Sequence, residues 1–163
     1  MEEISKGGES CLGTTTKLPL TNEEKSLLRK AKVKINDLNH FNTEDIARML
    51  NTTFFKANTL KGLAEFQTVP SIGYQLAEKL VFKLDIYSLS EIKDRTAADL
   101  FDQLEKQLGV WTDSCVEDQI RCVINYANNP GSTKQWFDFT EERKGYRKLY
   151  GFPEDRPVKA WYE

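Results

Sequence analysis

The sequence predicts an all-α domain, and three observations lead to that prediction. Apolar side chains recur every three or four residues along most of the chain, which is the period of an amphipathic helix. Several of these stripes follow a hydroxyl residue paired with an acidic residue three positions later, the capping-box pattern of a helix start. No stretch alternates apolar and polar residues as a half-buried strand does.

Composition indicates an ordinary globular chain of 163 residues, 39% hydrophobic and 29% charged. No apolar run is long enough to cross a membrane, and the first twenty residues contain no signal-peptide core. Three cysteines and one histidine are too sparse for a disulfide framework, and no metal site is expected from them. We therefore expect a cytoplasmic protein with no cofactor, no small-molecule substrate and no membrane association.

The predicted organisation has three parts. Residues 1–17 are rich in glycine, serine and threonine and are predicted to form a disordered tail. Residues 18–131 form the helical domain, which stops at the breaker Asn128-Asn129-Pro130-Gly131. Residues 132–163 hold eight of the 18 aromatic residues. We expect this aromatic-rich segment to pack on the helical domain, because burial is worth about 25 cal/mol per Å² of apolar surface.

Within the helical domain, the stripes predict helices over 43–50 and 53–66, and another after a turn at 69–73. The stripe from Val116 to Ala127 is apolar over a wide face, which favours a central helix with Asp113 as a candidate cap. Capping boxes mark the other starts: Thr21–Glu24, Ser88–Glu91, Thr96–Asp99 and Ser114–Glu117.

The most informative stretch is the turn Val69-Pro70-Ser71-Ile72-Gly73. Over residues 60–84 it resembles a helix-hairpin-helix, a motif that many DNA-binding proteins use against the phosphate backbone. Pro70 fixes φ and ends the first helix, and Ile72 faces the core. Gly73 is expected to supply a conformation closed to other residues and to leave room for a ligand. The N–H groups of the turn and the next helix start then suit an anionic oxygen.

The sequence departs from the usual pattern of this motif in two ways. Ser71 stands where the first glycine normally sits, and Tyr74-Gln75 opens the second helix, where a proline and a basic residue are frequent. Loss of a lysine there weakens the electrostatic contribution to DNA binding. The alternative is that Pro-x-x-Gly is only a tight interhelical corner. The predicted DNA-binding residues are Pro70, Ser71, Ile72, Gly73, Gln75 and Lys79.

The order of features over about 60–140 is similar to that of the bacterial pathogenicity-locus family, whose members are sometimes labelled as mitomycin-resistance proteins. The resemblance implies a SAM-like helix-hairpin-helix bundle and a nucleic-acid role, and it says little about substrate. The segment from Thr140 to Glu163 extends beyond the family's usual end. The matching pieces include Val69 to Gly73, Leu76 to Leu80, Tyr87 to Ile92, Asp113 to Val123, Tyr126-Ala127 and Trp136 to Phe139.

The net charge of −2 hides an uneven distribution. Residues 85–118 hold nine acidic and three basic side chains, and the rest of the chain is close to neutral or mildly basic. A polyanion can therefore contact the protein on one side only, and we expect these acids to lie mainly away from the turn. Arg121 is either a buried partner for an acid or a phosphate contact, and the sequence leaves both open.

Catalysis is not expected. His40 is the only imidazole, so no Ser-His or Cys-His pair is available. Asp113 lies forty residues after Gly73, whereas the catalytic aspartate of helix-hairpin-helix glycosylases lies roughly twenty after the hairpin glycine. Cys115 and Cys122 are two helical turns apart, on the order of 10 Å, and are expected to be core residues rather than a disulfide. Glu117 and Asp118 are adjacent on a helix, a spacing that rarely chelates a metal.

Two functions remain. The first is a module that binds duplex or branched DNA weakly and without sequence preference, as an accessory to DNA repair or processing. The second is a helical protein–protein interaction adaptor whose hairpin only joins two helices. Salt-dependent binding to DNA separates them.

Overall fold

The computed structural model describes residues 15–163, and over that range the chain is helical with no strand. The predicted all-α fold is confirmed. One isolated bridge pairs Trp111 with Ala160. In the described part of the chain, no helix is both long and apolar enough to span a membrane.

The element order follows the predicted stripes. The helices are α1 (Asn22–Lys30), α2 (Thr43–Leu50), α3 (Phe54–Phe66), α4 (Tyr74–Glu78), α5 (Leu89–Ile92), α6 (Ala97–Leu108), α7 (Ser114–Asn128) and α8 (Thr140–Tyr150). A π-helical turn, Lys79–Lys83, directly continues α4, and 3-10 turns occupy Ile35–His40 and Trp136–Phe139.

Side chains close the first turn of several helices. Thr21 and Glu24 form the predicted capping box: Thr21 Oγ1 accepts the Glu24 N–H at 3.0 Å, and Glu24 Oε1 accepts the Thr21 N–H at 2.9 Å. Asn42, Thr53 and Ser88 each accept one backbone N–H at the starts of α2, α3 and α5. Each bond satisfies an N–H that has no partner within its helix.

Three of the four predicted capping boxes do not form. Ser88 caps α5, but Glu91 Oε1 accepts the Tyr87 N–H at 3.0 Å instead of the Ser88 N–H. Thr96 precedes α6, but its side chain makes no cap hydrogen bond. Helix α7 begins at Ser114, so its cap is Asp113, whose carboxylate accepts the Cys115 N–H at 2.9 Å. Asp113 is thus confirmed as a cap. The hydroxyl-x-x-acid pattern permits a box, but Glu117 is not free to close one at Ser114, because it is buried and paired with Arg121 and Arg147.

Helix α3 joins two hydrophobic clusters. Its first half, including Leu60, packs with α1 and α2. Its second half, including Leu63 and Phe66, packs with the following turn and with α4, α6 and α7. Gly62 lets the chain after α4 pass closely, because a Cβ there would lie 2.7 Å from the Tyr87 carbonyl oxygen. The turn after α3 is therefore built on a buried helix.

Helix α7 contacts α4, α5, α6 and α8, which agrees with its predicted central place. Ile120, Cys122 and Val123 are buried on it, as the apolar stripe indicates. Glu117 and Asp118 are buried as well, with 0% and 1% of their surface exposed. The wide face of α7 is therefore partly ionic, which the sequence analysis did not predict.

The two ends of the described chain contact the helices. Thr16 and Lys17, which the sequence analysis places in the tail, are hydrogen-bonded to Asn36 and Gln67. The rest of the predicted tail, residues 1–14, lies outside the described residues. At the other end, Phe139 and Ala160 are buried, but α8 buries none of its own residues. Most aromatic rings of the C-terminal segment keep a large exposed fraction.

Candidate functional site

The candidate site is the corner between α3 and α4. Helix α3 ends at Phe66, and the Ile72 N–H donates to the Val69 carbonyl oxygen at 3.1 Å within the turn. Val69 and Ile72 are each 2% exposed, so two apolar side chains anchor the turn in the core. Pro70 lies between them and is partly exposed. The predicted corner thus exists as two helices joined by a short turn, with Ile72 facing inward.

The unusual backbone conformation of the turn belongs to Ser71. Its φ is +66°, in the left-handed region that costs an L-residue roughly 1–2 kcal/mol. Gly73 has φ −107° and ψ −169°, an extended conformation open to any residue. The prediction that Gly73 supplies the special conformation is therefore wrong. A hydrogen bond offsets part of the cost at Ser71, because its Oγ accepts the Trp136 N–H at 2.9 Å.

The start of α4 is open on its outer side. A Cβ added to Gly73 would meet no atom of the described residues within 4 Å. No side chain caps the helix, and no described residue accepts a hydrogen bond from the N–H groups of Tyr74 and Gln75. These donors, together with the partial positive charge of a helix start, suit an anionic oxygen.

Lys79 supplies the cation nearest along the helix to this open start. Gln75 is exposed and lies one turn before Lys79, whose Nζ donates to the Gln75 carbonyl oxygen at 3.5 Å. Tyr74 is partly buried; burial and the neighbouring Glu78 carboxylate raise the pKa of its phenol, which keeps it neutral. The outer side of the α4 start therefore presents Gly73, which leaves open space, the exposed Gln75 and the cation of Lys79.

A groove of about 980 Å³ runs beside α4. It is lined by residues of the corner together with residues of α7 and of the N- and C-terminal segments. Lys17 and Lys79 line it together with Glu78 and Asp113, so its charges nearly balance. Among the nine acids of 85–118, Asp113 is the one that lines this groove. The other lining residues include Gly73, Tyr74, Gln75, Cys115, Gln119 and Trp161.

Cys122 packs directly beneath the turn. Its Sγ lies 3.8 Å from the Pro70 carbonyl oxygen and 3.6 Å from that of Lys134. Burial raises the pKa of the Cys122 thiol to about 11. Cys115 is a free thiol that lines the groove, and burial and Asp113 raise its pKa. Cys122 is thus the core residue that was predicted, whereas Cys115 is partly exposed.

Buried carboxylates of α6 and α7 are paired with arginines of the C-terminal segment, an arrangement that the sequence analysis missed. The partners are 25 to 51 positions apart, so local spacing does not show them. Two local signals are available: Arg143 and Arg147 are four apart and share a helix face, and Arg121 lies four residues after Glu117. The pairs are Arg143 with Asp118 at 2.6 Å, Arg147 with Glu117 at 3.0 Å, and Arg156 with Glu105 at 2.7 and 2.9 Å.

Arg121, whose role the sequence leaves open, is a partner for acids. Its guanidinium donates to Glu117 and to Glu142, both at 3.0 Å, and its side chain is 11% exposed. Glu117 and Asp118 are therefore neutralised by arginines. Among the described residues, no group of three or more histidine, cysteine or acidic side chains is arranged to hold a metal ion.

Comparison with known proteins gives one match. A sequence model of the family described as Pathogenicity locus matches residues 59–145, more than half of the chain. The matched range contains every residue predicted for the DNA-binding site. No curated protein and no solved structure matches the chain significantly.

Proposed function

The chain belongs to the pathogenicity locus family, and we propose that it binds DNA without sequence preference, holding the phosphate backbone at the corner between α3 and α4. The open start of α4 carries the proposal. Gly73 has no side chain there, and the N–H groups of Tyr74 and Gln75 have no acceptor among the described residues. Backbone donors of this kind hold phosphate oxygens and convey no sequence information.

The proposed site residues have different roles. Ile72 and Pro70 shape the turn, and Ser71 fixes it to the segment after α7 through its hydroxyl. Gly73 admits the phosphate, because it has no side chain and the space that a Cβ would occupy is open. Gln75 contributes its backbone N–H, and Lys79 contributes the charge.

Binding is expected to be weak and only moderately sensitive to salt. Lys17 and Lys79 are opposed by Glu78 and Asp113 around the groove. Few counterions are therefore released, and log K should fall with log salt with a slope of roughly −2 to −4, at about −0.9 per phosphate. Weak binding without sequence preference is consistent with a cytoplasmic protein that acts as an accessory to DNA repair or processing. The proposal includes no catalytic step.

A salt titration tests this proposal. Fluorescence anisotropy of a labelled blunt duplex is measured with increasing protein from about 50 mM salt upward, where phosphate contacts are strong. We expect saturable binding at low salt, the same affinity for duplexes of different sequence, and the shallow slope given above. A strong preference for one sequence would contradict backbone recognition.

The second candidate function is a protein-interaction adaptor. Its supporting observation is the exposure of large apolar side chains on two separate surfaces: Phe54 and Phe55 on α3, and Leu149 and Tyr150 on α8. Surfaces of this kind mark protein contacts when they are contiguous. Absence of duplex binding at about 50 mM salt would leave this alternative as the better account.

A further inference from the structure

Residues 158–161 are fixed beside the groove by hydrogen bonds to Trp111. The Trp111 N–H donates to the Lys159 carbonyl oxygen at 2.9 Å, and the Trp161 N–H donates to the Trp111 carbonyl oxygen at 2.9 Å. The indole N–H of Trp111 also donates to the Val158 carbonyl oxygen at 3.1 Å. Ala160, between the bonded residues, is 1% exposed. The backbone at Trp161 is therefore held in one place.

The Trp161 ring is positioned and yet half exposed. Its exposed fraction is 47%, and it is one of the residues that line the groove next to Gly73. Trp111 and Tyr162 contact it at centroid distances of 5.5 and 4.9 Å and interplanar angles of 75° and 83°. Both contacts are near perpendicular, so they are edge-to-face contacts rather than parallel stacks. The exposed 47% of the Trp161 side chain is the aromatic surface that remains available for a flat ligand.

The residues that line the groove favour binding of a base by stacking over binding of further phosphates by charge. Lys17 and Lys79 are balanced by Glu78 and Asp113, so the groove offers little net attraction for additional phosphates. Stacking of a nucleobase on an aromatic ring does not depend on net charge and tolerates every base. The bases of an intact duplex are already stacked on each other, so only an unpaired base can use such a ring.

We propose that Trp161 is a stacking site for an unpaired nucleobase, so that the preferred ligand is duplex DNA with an adjoining single-stranded part. This inference rests on the proposed function: the corner holds the backbone, and the groove receives the first base that leaves the duplex. It assigns a role to the segment after residue 145, which lies outside the range matched by the family.

The test compares three labelled DNAs by anisotropy: a blunt duplex, the same duplex with a single-stranded tail of about ten nucleotides, and the same tailed duplex with abasic sites in the tail. The abasic tail keeps the phosphates and removes the bases. We expect the tailed duplex to bind on the order of ten-fold more tightly than the blunt duplex, the scale of one stacked base. The abasic tail should give no such gain.

Substitutions test whether the Trp161 ring is responsible for the preference for the tailed duplex. Trp161→Ala should lose the preference for the tail and keep the affinity for the blunt duplex, whereas Trp161→Phe should retain most of the preference. Phe55→Ala is the matched control, because Phe55 is 70% exposed and does not line the groove. Circular dichroism checks that each variant stays helical. Tailed DNA should also quench tryptophan fluorescence in the wild type more than in Trp161→Phe.

The outcomes separate this inference from the proposed function. Equal binding of blunt and tailed duplexes, or a tail preference that survives in Trp161→Ala, would overturn the stacking site and leave backbone binding standing. A gain that persists with the abasic tail would also overturn it, since phosphates alone would explain the gain. Failure to bind any of the three DNAs would overturn the proposed function together with it.

Discussion

Arg147 and Glu117 form a buried ion pair between α8 and α7, in which Arg147 Nε donates to Glu117 Oε1 at 3.0 Å. The two side chains are 8% and 1% exposed. Arg147 also donates to Asp102 on α6 at 2.9 Å and to the Gly151 carbonyl oxygen at 3.0 Å. No apolar residue of α8 is buried, so ion pairs rather than apolar packing attach this helix to the domain.

Replacing Arg147 with methionine should therefore destabilise the protein. The substitution leaves the carboxylates of Glu117 and Asp102 short of a partner, and breaking a buried pair costs about 3 kcal/mol or more in free energy of unfolding. Urea denaturation measures the change. Lys144→Met is the control on the same helix, since Lys144 pairs with Glu141 only at 3.8 Å on the exposed side. It should change stability by less than about 0.5 kcal/mol. Equal, small effects of both variants would contradict this account of α8.

Two substitutions at Ser71 separate backbone strain from hydrogen bonding. Both Ser71→Ala and Ser71→Gly remove the hydroxyl that accepts the Trp136 N–H. Only glycine adopts a φ of +66° without a steric cost, so Ser71→Gly should be the more stable variant by roughly 1 kcal/mol. Thermal and urea unfolding of the two proteins give the difference. If the alanine variant is as stable as the glycine variant, Ser71 is not held in the left-handed region.

The buried thiol of Cys122 predicts how stability changes in alkali. Burial raises its pKa from the usual 9.0 to about 11. The unfolded thiol therefore loses its proton first, so stability is intact below pH 9 and declines as the pH rises toward 11. We expect a shallower decline in Cys122→Ala. Some decline should remain, because burial also raises the pKa of Tyr74 and Tyr87. Identical pH profiles for wild type and variant would count against a buried, neutral Cys122.

Charge added at the corner should strengthen DNA binding. Gln75→Lys places a cation in the first turn of α4, which should tighten binding several-fold at about 50 mM salt and steepen the salt slope by about 0.9. Gln103→Lys changes the net charge equally on an exposed part of α6 that does not line the groove, so it is the matched control. Lys79→Ala should weaken binding. Equal gains from both lysine variants would show that overall charge, not the corner, governs affinity.

The corner could be predicted from the sequence because its determinants are local. Pro70 and Gly73 are only a few residues apart, and the apolar stripes on both sides fix the direction of the two helices. The same local reasoning assigned the left-handed conformation to Gly73, because glycine is its usual carrier. The structure gives that conformation to Ser71, which depends on the Trp136 N–H 65 positions away. A sequence pattern has no means of showing that bond.

The same limit explains the missed ionic cluster. Glu117 and Asp118 lie in a stripe whose other members are apolar, so periodicity indicates a hydrophobic face. Arg121 is a local partner of Glu117, but Arg143 and Arg147 follow 25 to 30 positions later, beyond the breaker that ends α7. Burial of a carboxylate is acceptable only with such a partner, and the partner is specified by the packing of the C-terminal segment. The groove beside the corner could not be predicted from local spacing either, since Trp161 reaches it through its bond to the distant Trp111.

The most direct test of DNA binding at the corner is the affinity of Gly73→Val for a blunt duplex at about 50 mM salt. A valine fits the extended backbone at Gly73 and meets no described atom, so the fold should be unchanged while the approach to the N–H groups is blocked. Gly145→Val is the matched control, because a Cβ there also meets nothing within 4 Å. We predict that Gly73→Val abolishes binding, that Lys79→Ala weakens it less, and that Gly145→Val binds as the wild type does. Wild-type affinity in a folded Gly73→Val protein would contradict the claim that the backbone of DNA is held at this corner.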